Sequence, residues 1–132
     1  MAESHVERPR PLEWIGSSRK DLVALPGEVV DVFGFALHLA QIGRKHEQAK
    51  PLQGFGSAGV LEIVEDRRGN TYRAVYTVRF AVRVFVPHVF QKKSKSGIST
   101  PKSDLDLIRS RLKAAALRAK ELEDEQTQDA NR

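Results

Sequence analysis

Residues 71–101 read TYRAVYTVRFAVRVFVPHVFQKKSKSGISTP, and this stretch decides the fold. Valines, aromatics and threonines alternate with arginine up to Val86, which is the composition of strands on a half-buried sheet. A lysine cluster follows, and Thr100-Pro101 opens a helix, since proline at the first helical position loses no hydrogen bond there. Strands are predicted over Thr71–Arg79 and Val82–Gln91, joined through Phe80-Ala81, with Val60–Glu65 before them across Arg68-Gly69-Asn70. Connections this short require antiparallel pairs. Within 71–79, Tyr72, Ala74, Tyr76 and Val78 share one face, while Thr71, Arg73, Val75, Thr77 and Arg79 share the other. Period-two alternation predicts tyrosines buried against helices and Arg73 on an open face. Pro87 cannot donate to a ladder, so the last strand is bulged there or lies at an edge.

Upstream, Leu12–Ile15 forms a short strand closed by Gly16. Ser17 and Ser18 are caps for a helix reaching about Leu25. Pro26 starts a second helix whose Val29, Val30, Phe33, Ala36, Leu37 and Ala40 make one apolar stripe. Residues 44–59, polar and glycine-rich, read as a loop. The closing helix carries Leu105, Ile108, Leu112, Ala115, Ala119 and Leu122 on one face and a basic remainder. The expected fold is α+β: an N-terminal helical hairpin packed on a small twisted antiparallel sheet, with a C-terminal basic helix. Residues 1–10 are expected as a flexible arm, 11–122 as one domain, and 123–132 as an acidic disordered tail.

The chain has 132 residues and no cysteine, so disulfides and thiolate metal sites are excluded. His5, His38, His46 and His88 show no ligand spacing, and no metal or cofactor is expected. Nothing resembles a membrane span or a signal peptide, which makes the cytoplasm the expected location. The net charge of +5 is unevenly spread: residues 67–120 hold 14 basic and 2 acidic side chains, the flanks on either side being acidic. Such a block favours a polyanionic partner. Gly54-Phe55-Gly56-Ser57-Ala58-Gly59 matches GxGxxG, but a strand follows it instead of a helix, so it reads as a loop.

Candidate phosphate contacts are Arg73 and the lysines Lys92, Lys93 and Lys95, which end the strand paired with the Arg73 strand. A solvated turn is the alternative for the lysine run. His88 is either a satisfied structural histidine or a group for catalysis or RNA contact. Arg79, Arg83, Lys102 and Arg109 extend the basic surface as RNA-binding candidates.

The PHVFQKKSKSGISTP segment, with the Tyr72-Arg73 strand, the Leu52-Gln53-Gly54-Phe55 loop and Leu61-Glu62-Ile63, resembles the RelE/ParE superfamily of toxin–antitoxin toxins, in its phage-related, HigB-like branch. The resemblance covers roughly residues 11–120. It implies a metal-independent, ribosome-dependent endoribonuclease acting on mRNA, held in check by a helix-turn-helix antitoxin. It implies catalytic roles for Arg73 near the scissile phosphate, for Lys92 and Lys93 as the family's lysine pair, and for His88. The chain departs from some active members of the family in lacking a tyrosine in or near its last helix. A ParE-like inhibitor acting by protein contact, as on DNA gyrase, and a plain nucleic-acid-binding module are the alternatives.

Overall fold

The structure, a computed structural model, describes residues 8–56, 59–92 and 100–131. Nine elements follow in order: β1 (Leu12–Trp14), α1 (Ser18–Val23), α2 (Gly27–Gln41), β2 (Ala49–Pro51), β3 (Val60–Arg67), β4 (Asn70–Thr77), β5 (Val84–Val86), β6 (His88–Lys92) and α3 (Lys102–Ala130). The strands β2-β3-β4-β6 form an antiparallel sheet, and β1 pairs with β5 in parallel. This is the expected α+β order, with helices before and after the sheet.

The β3–β4 hairpin turns through Arg68 and Gly69, both at positive φ (54° and 83°), as a two-residue turn of the primed type requires. Pro87 divides the last predicted strand. Its first part, β5, leaves the sheet to pair with β1, while β6 continues antiparallel to β4 from Val75↔His88 to Thr71↔Lys92. The loop predicted over 44–59 contains β2, which pairs with β3 through Lys50↔Glu62. Three residues ending in proline make a short, blunt edge that periodicity alone does not reveal.

The helix-facing side of the sheet follows the predicted alternation. Tyr72, Ala74 and Tyr76, with Leu61 and Ile63, bury against Val29, Phe33, Ala36, Leu37 and Ala40 of α2. The other side is not open. Ile108 and Leu112 of α3 cover it, packing with Leu52, Val60, Val75 and Phe90. Farther along α3, Ala115, Ala119 and Leu122 meet Phe85, with Ile15, Phe80 and Val82 around them. The physical reason is the stripe itself: an apolar face on a long helix must be buried, and the sheet offers the one surface left.

Two of the described segments carry structure that was not expected. Arg10, assigned to the flexible arm, donates to the carbonyls of Val78 (3.1 Å), Phe80 (2.9 Å) and Ala40 (2.9 Å). The helix α3 runs to Ala130 through the segment expected to be disordered. Its glutamates, glutamines and alanine are strong helix formers, and they extend a helix already nucleated by packing. No helix among the described residues is long and apolar enough to cross a membrane.

Tyr76 is fully buried, and its hydroxyl has no hydrogen-bond partner among the described residues. Burial disfavours the phenolate and pushes its pKa from 10.0 up to about 12. The folded state therefore holds its proton where the unfolded state has released it, so stability present below pH 10 is lost as the pH rises towards 12. Tyr76→Phe should remove this alkaline loss and leave neutral-pH stability unchanged or higher by about 1 kcal/mol. Urea titrations at neutral and alkaline pH check both outcomes.

Candidate functional site

The register gathers three of the predicted catalytic residues on the α3-facing side of the sheet. Arg73 stands opposite Phe90, and its diagonal neighbours on β6 are His88 and Lys92, at about 7 Å by strand geometry. All three are buried, Arg73 at 4% exposure, His88 at 6% and Lys92 at 8%. The predicted open placement of Arg73 is thus corrected: α3 roofs the face, and the guanidinium is held inside.

Its partner comes from the neighbouring strand. Arg73 Nη1 donates to Glu62 Oε2 (3.2 Å) and to Thr100 Oγ1 (3.0 Å). The other carboxylate oxygen of Glu62 lies 3.8 Å from Lys50 Nζ, whose side chain is exposed. Two cations flank one carboxylate, so the cluster keeps a net positive charge. A groove of about 310 Å³ opens over it, lined by Lys50, Gln53, Glu62, Arg73, Thr100 and Leu105. Burying such a pair costs desolvation, and the extra hydrogen bond from Arg73 to Thr100 helps to offset it.

His88 belongs to a second network. Its Nε2 lies 2.8 Å from Asp104 Oδ1, and its Nδ1 lies 3.5 Å from Arg111 Nη1. A carboxylate only accepts and a guanidinium only donates, so the arrangement fits the Nε2–H tautomer. The ring stacks on Phe90 at 4.5 Å between centroids. Arg111 also donates to the Pro87 carbonyl (3.0 Å) and to Ser17 Oγ (3.3 Å), tying α3 to the strand break and to the β1–α1 turn. At that turn Gly16 has φ +58°, and a Cβ there would stand 2.8 Å from the guanidinium.

A model of the phage-derived Gp49-like protein family (DUF891) matches residues 20–113. The chain belongs to this family. Membership bears out the resemblance to RelE-type toxins in their phage-related branch that was read from the 87–101 segment. No curated protein matches the chain. Among solved structures, a chain of the toxin–antitoxin complex RelBE2 from Mycobacterium tuberculosis is similar at 22% identity over 61% of this chain and 95% of that one, with a TM-score of 0.41. The family match spans Glu62, Arg73, His88, Lys92, Asp104 and Arg111.

The remaining candidates in this Gp49-like chain are dispersed. Arg83 pairs with Glu13 (3.7 Å), and so does Arg118 (3.1 Å). Arg79 lies over Phe80 and Arg109 over Phe55, each with its guanidinium carbon 5.0 Å from the ring centroid. Lys102 is exposed and meets Asp106 (3.0 Å). Lys93 and Lys95 lie outside the described residues. Among the described residues no group of three or more histidine, aspartate or glutamate side chains converges as a metal site would.

Sequence reasoning missed Glu62, Lys50, Thr100 and Asp104. One signal was present for Glu62: it is a lone carboxylate between Leu61 and Ile63, on the strand preceding the Arg73 strand. Reading it as a partner required the register Glu62↔Val75, which sets it diagonal to Arg73.

Removing Arg73 takes from the buried Glu62 its closer cation and leaves it the exposed Lys50 at 3.8 Å. Arg73→Met should cost about 3 kcal/mol, and Glu62→Leu combined with it should recover most of that loss. Urea unfolding of the two single variants and the double variant checks the coupling; additive losses would show that the pair is not coupled.

Proposed function

We propose that this Gp49-like chain is the toxin of a toxin–antitoxin pair and that it cleaves mRNA on the ribosome without a metal. The observation that carries the reading is the Glu62 carboxylate set between Arg73 and Lys50 under an open groove. RNA cleavage by its own 2′-hydroxyl needs three things: a base, a stabiliser for the phosphorane and an acid for the leaving oxygen. The cluster offers the base and the stabiliser, its diagonal neighbour Lys92 offers the acid, and the family membership supports the class.

Arg73 and Lys50 take the scissile phosphate. An incoming phosphate competes with Glu62 for both cations, so the carboxylate oxygens are released from their partners as substrate arrives. Glu62 then accepts the 2′-hydroxyl proton, and the 2′-oxygen attacks phosphorus. Arg73 hydrogen-bonds the equatorial oxygens, where charge accumulates, an effect worth about 10²–10³ in rate for one well-placed donor. The bond from phosphorus to the 5′-oxygen breaks, and that oxygen takes a proton from Lys92, on the diagonal from Arg73. The products are a 2′,3′-cyclic phosphate and a 5′-hydroxyl. Both nitrogens of His88 are already engaged, so its part is to shape the site. The 14 basic residues in 67–120 suit ribosomal RNA as a docking surface. A helix-turn-helix antitoxin that covers this charge would restrain the chain in the cytoplasm.

Induction of the gene alone should arrest growth and create new transcript ends. Glu62→Gln keeps the shape of the side chain and an acceptor for Arg73 but removes the base, and should lower cleavage by about 10²-fold or more. Mapping of transcript ends and growth curves read the result. Growth arrest with no new ends would favour the protein-contact inhibitor, and full cleavage by Glu62→Gln would remove the glutamate from the mechanism.

A further inference from the structure

A second cavity, of about 590 Å³, lies on the far side of Phe90 from Arg73, between α1, β6 and the start of α3. Its walls include Asp21, Leu25, His88, Phe90, Gln91 and Asp104. Two carboxylates and an amide stand among its described lining residues, in a chain with a net charge of +5. The volume falls within the range of about 300–1,000 Å³ usual for small-ligand sites.

We propose that this cavity seats a nucleobase bearing an exocyclic amino group, held next to the phosphate on Arg73; the placement rests on the RNA-cleaving reading above. The stacked His88 and Phe90 rings offer an aromatic face, and Leu25 and Pro101 supply apolar wall. The carboxylates supply acceptors. Asp21 Oδ2 accepts from Ser17 (2.7 Å), and Asp104 Oδ1 meets His88. A carboxylate has about four acceptor sites, so each retains capacity for an amino group. Adenine, guanine and cytosine carry such a group and uracil does not, so the cavity discriminates against uracil at this position. Arg73 of the groove stands directly opposite Phe90 of the cavity wall in the β4–β6 register, which puts the two sites on neighbouring strands.

Magnetic-resonance titration of the full chain with the four ribonucleosides tests the assignment. Adenosine, guanosine and cytidine should shift the signals of His88, Phe90 and Gln91, and uridine should bind at least about fivefold more weakly. Asp21→Asn, which still accepts from Ser17, should bring the amino-bearing nucleosides close to uridine. Because nucleosides carry no phosphate, the titration does not call on Arg73 or Glu62, and its outcome stands apart from that of the transcript mapping. Absence of shifts, equal binding of uridine to the wild type, or an Asp21→Asn ranking like the wild type would each overturn the proposal. Shifts with acetylarginine amide but not with nucleosides would overturn it as well, in favour of a cationic peptide.

Discussion

The ion pair of Arg73 with Glu62 is the constraint around which the site is built. It sits on a sheet face that α3 must cover, because Ile108 and Leu112 have no other place to bury. A guanidinium under that roof needs a carboxylate, and β3 supplies one. Lys50, brought alongside by β2, shifts the balance back to positive charge at the groove. Cover and charge are therefore two results of the same packing: the face is dry enough to strengthen electrostatics, yet one side stays open to an anion.

How much of this was legible in the sequence follows from what each signal depends on. The Tyr72, Ala74, Tyr76 alternation and the α2 stripe are local patterns, and both faces turned out as read. The break at Pro87 was legible as chemistry, since a proline removes a ladder donor. That β5 would leave to join β1 was not, because parallel pairing between distant segments has no local mark. The placement of Arg73 failed for a related reason. Its strand has two faces, the α3 stripe was visible, but nothing in either segment said that the two would meet.

The candidate site was half legible. Basic residues near the lysine cluster are recognisable one at a time, and the register does set Arg73 between His88 and Lys92. The groups that compensate them, Glu62 and Asp104, come from other elements. A carboxylate that pairs across strands or from a helix looks in sequence like any surface acid. Arg111 illustrates the converse: one of several basic residues on α3, it alone reaches Pro87, His88 and the Ser17 turn together.

The pairing of β1 with β5 has a kinetic side. Leu12 meets Val84 across most of the intervening fold, and Arg10 locks onto carbonyls at Val78 and Phe80. Closing so long a loop adds little to the equilibrium cost, since loop entropy grows only with the logarithm of length. It does raise contact order, which slows folding. The four-stranded sheet, made mostly of neighbouring hairpins, can form before the N-terminal segment docks, and α3 draws on residues synthesised later still. The face that carries Arg73 draws its cover from the last helix of the order, so Val60, Val75 and Phe90 have that cover only once the residues of α3 have been made.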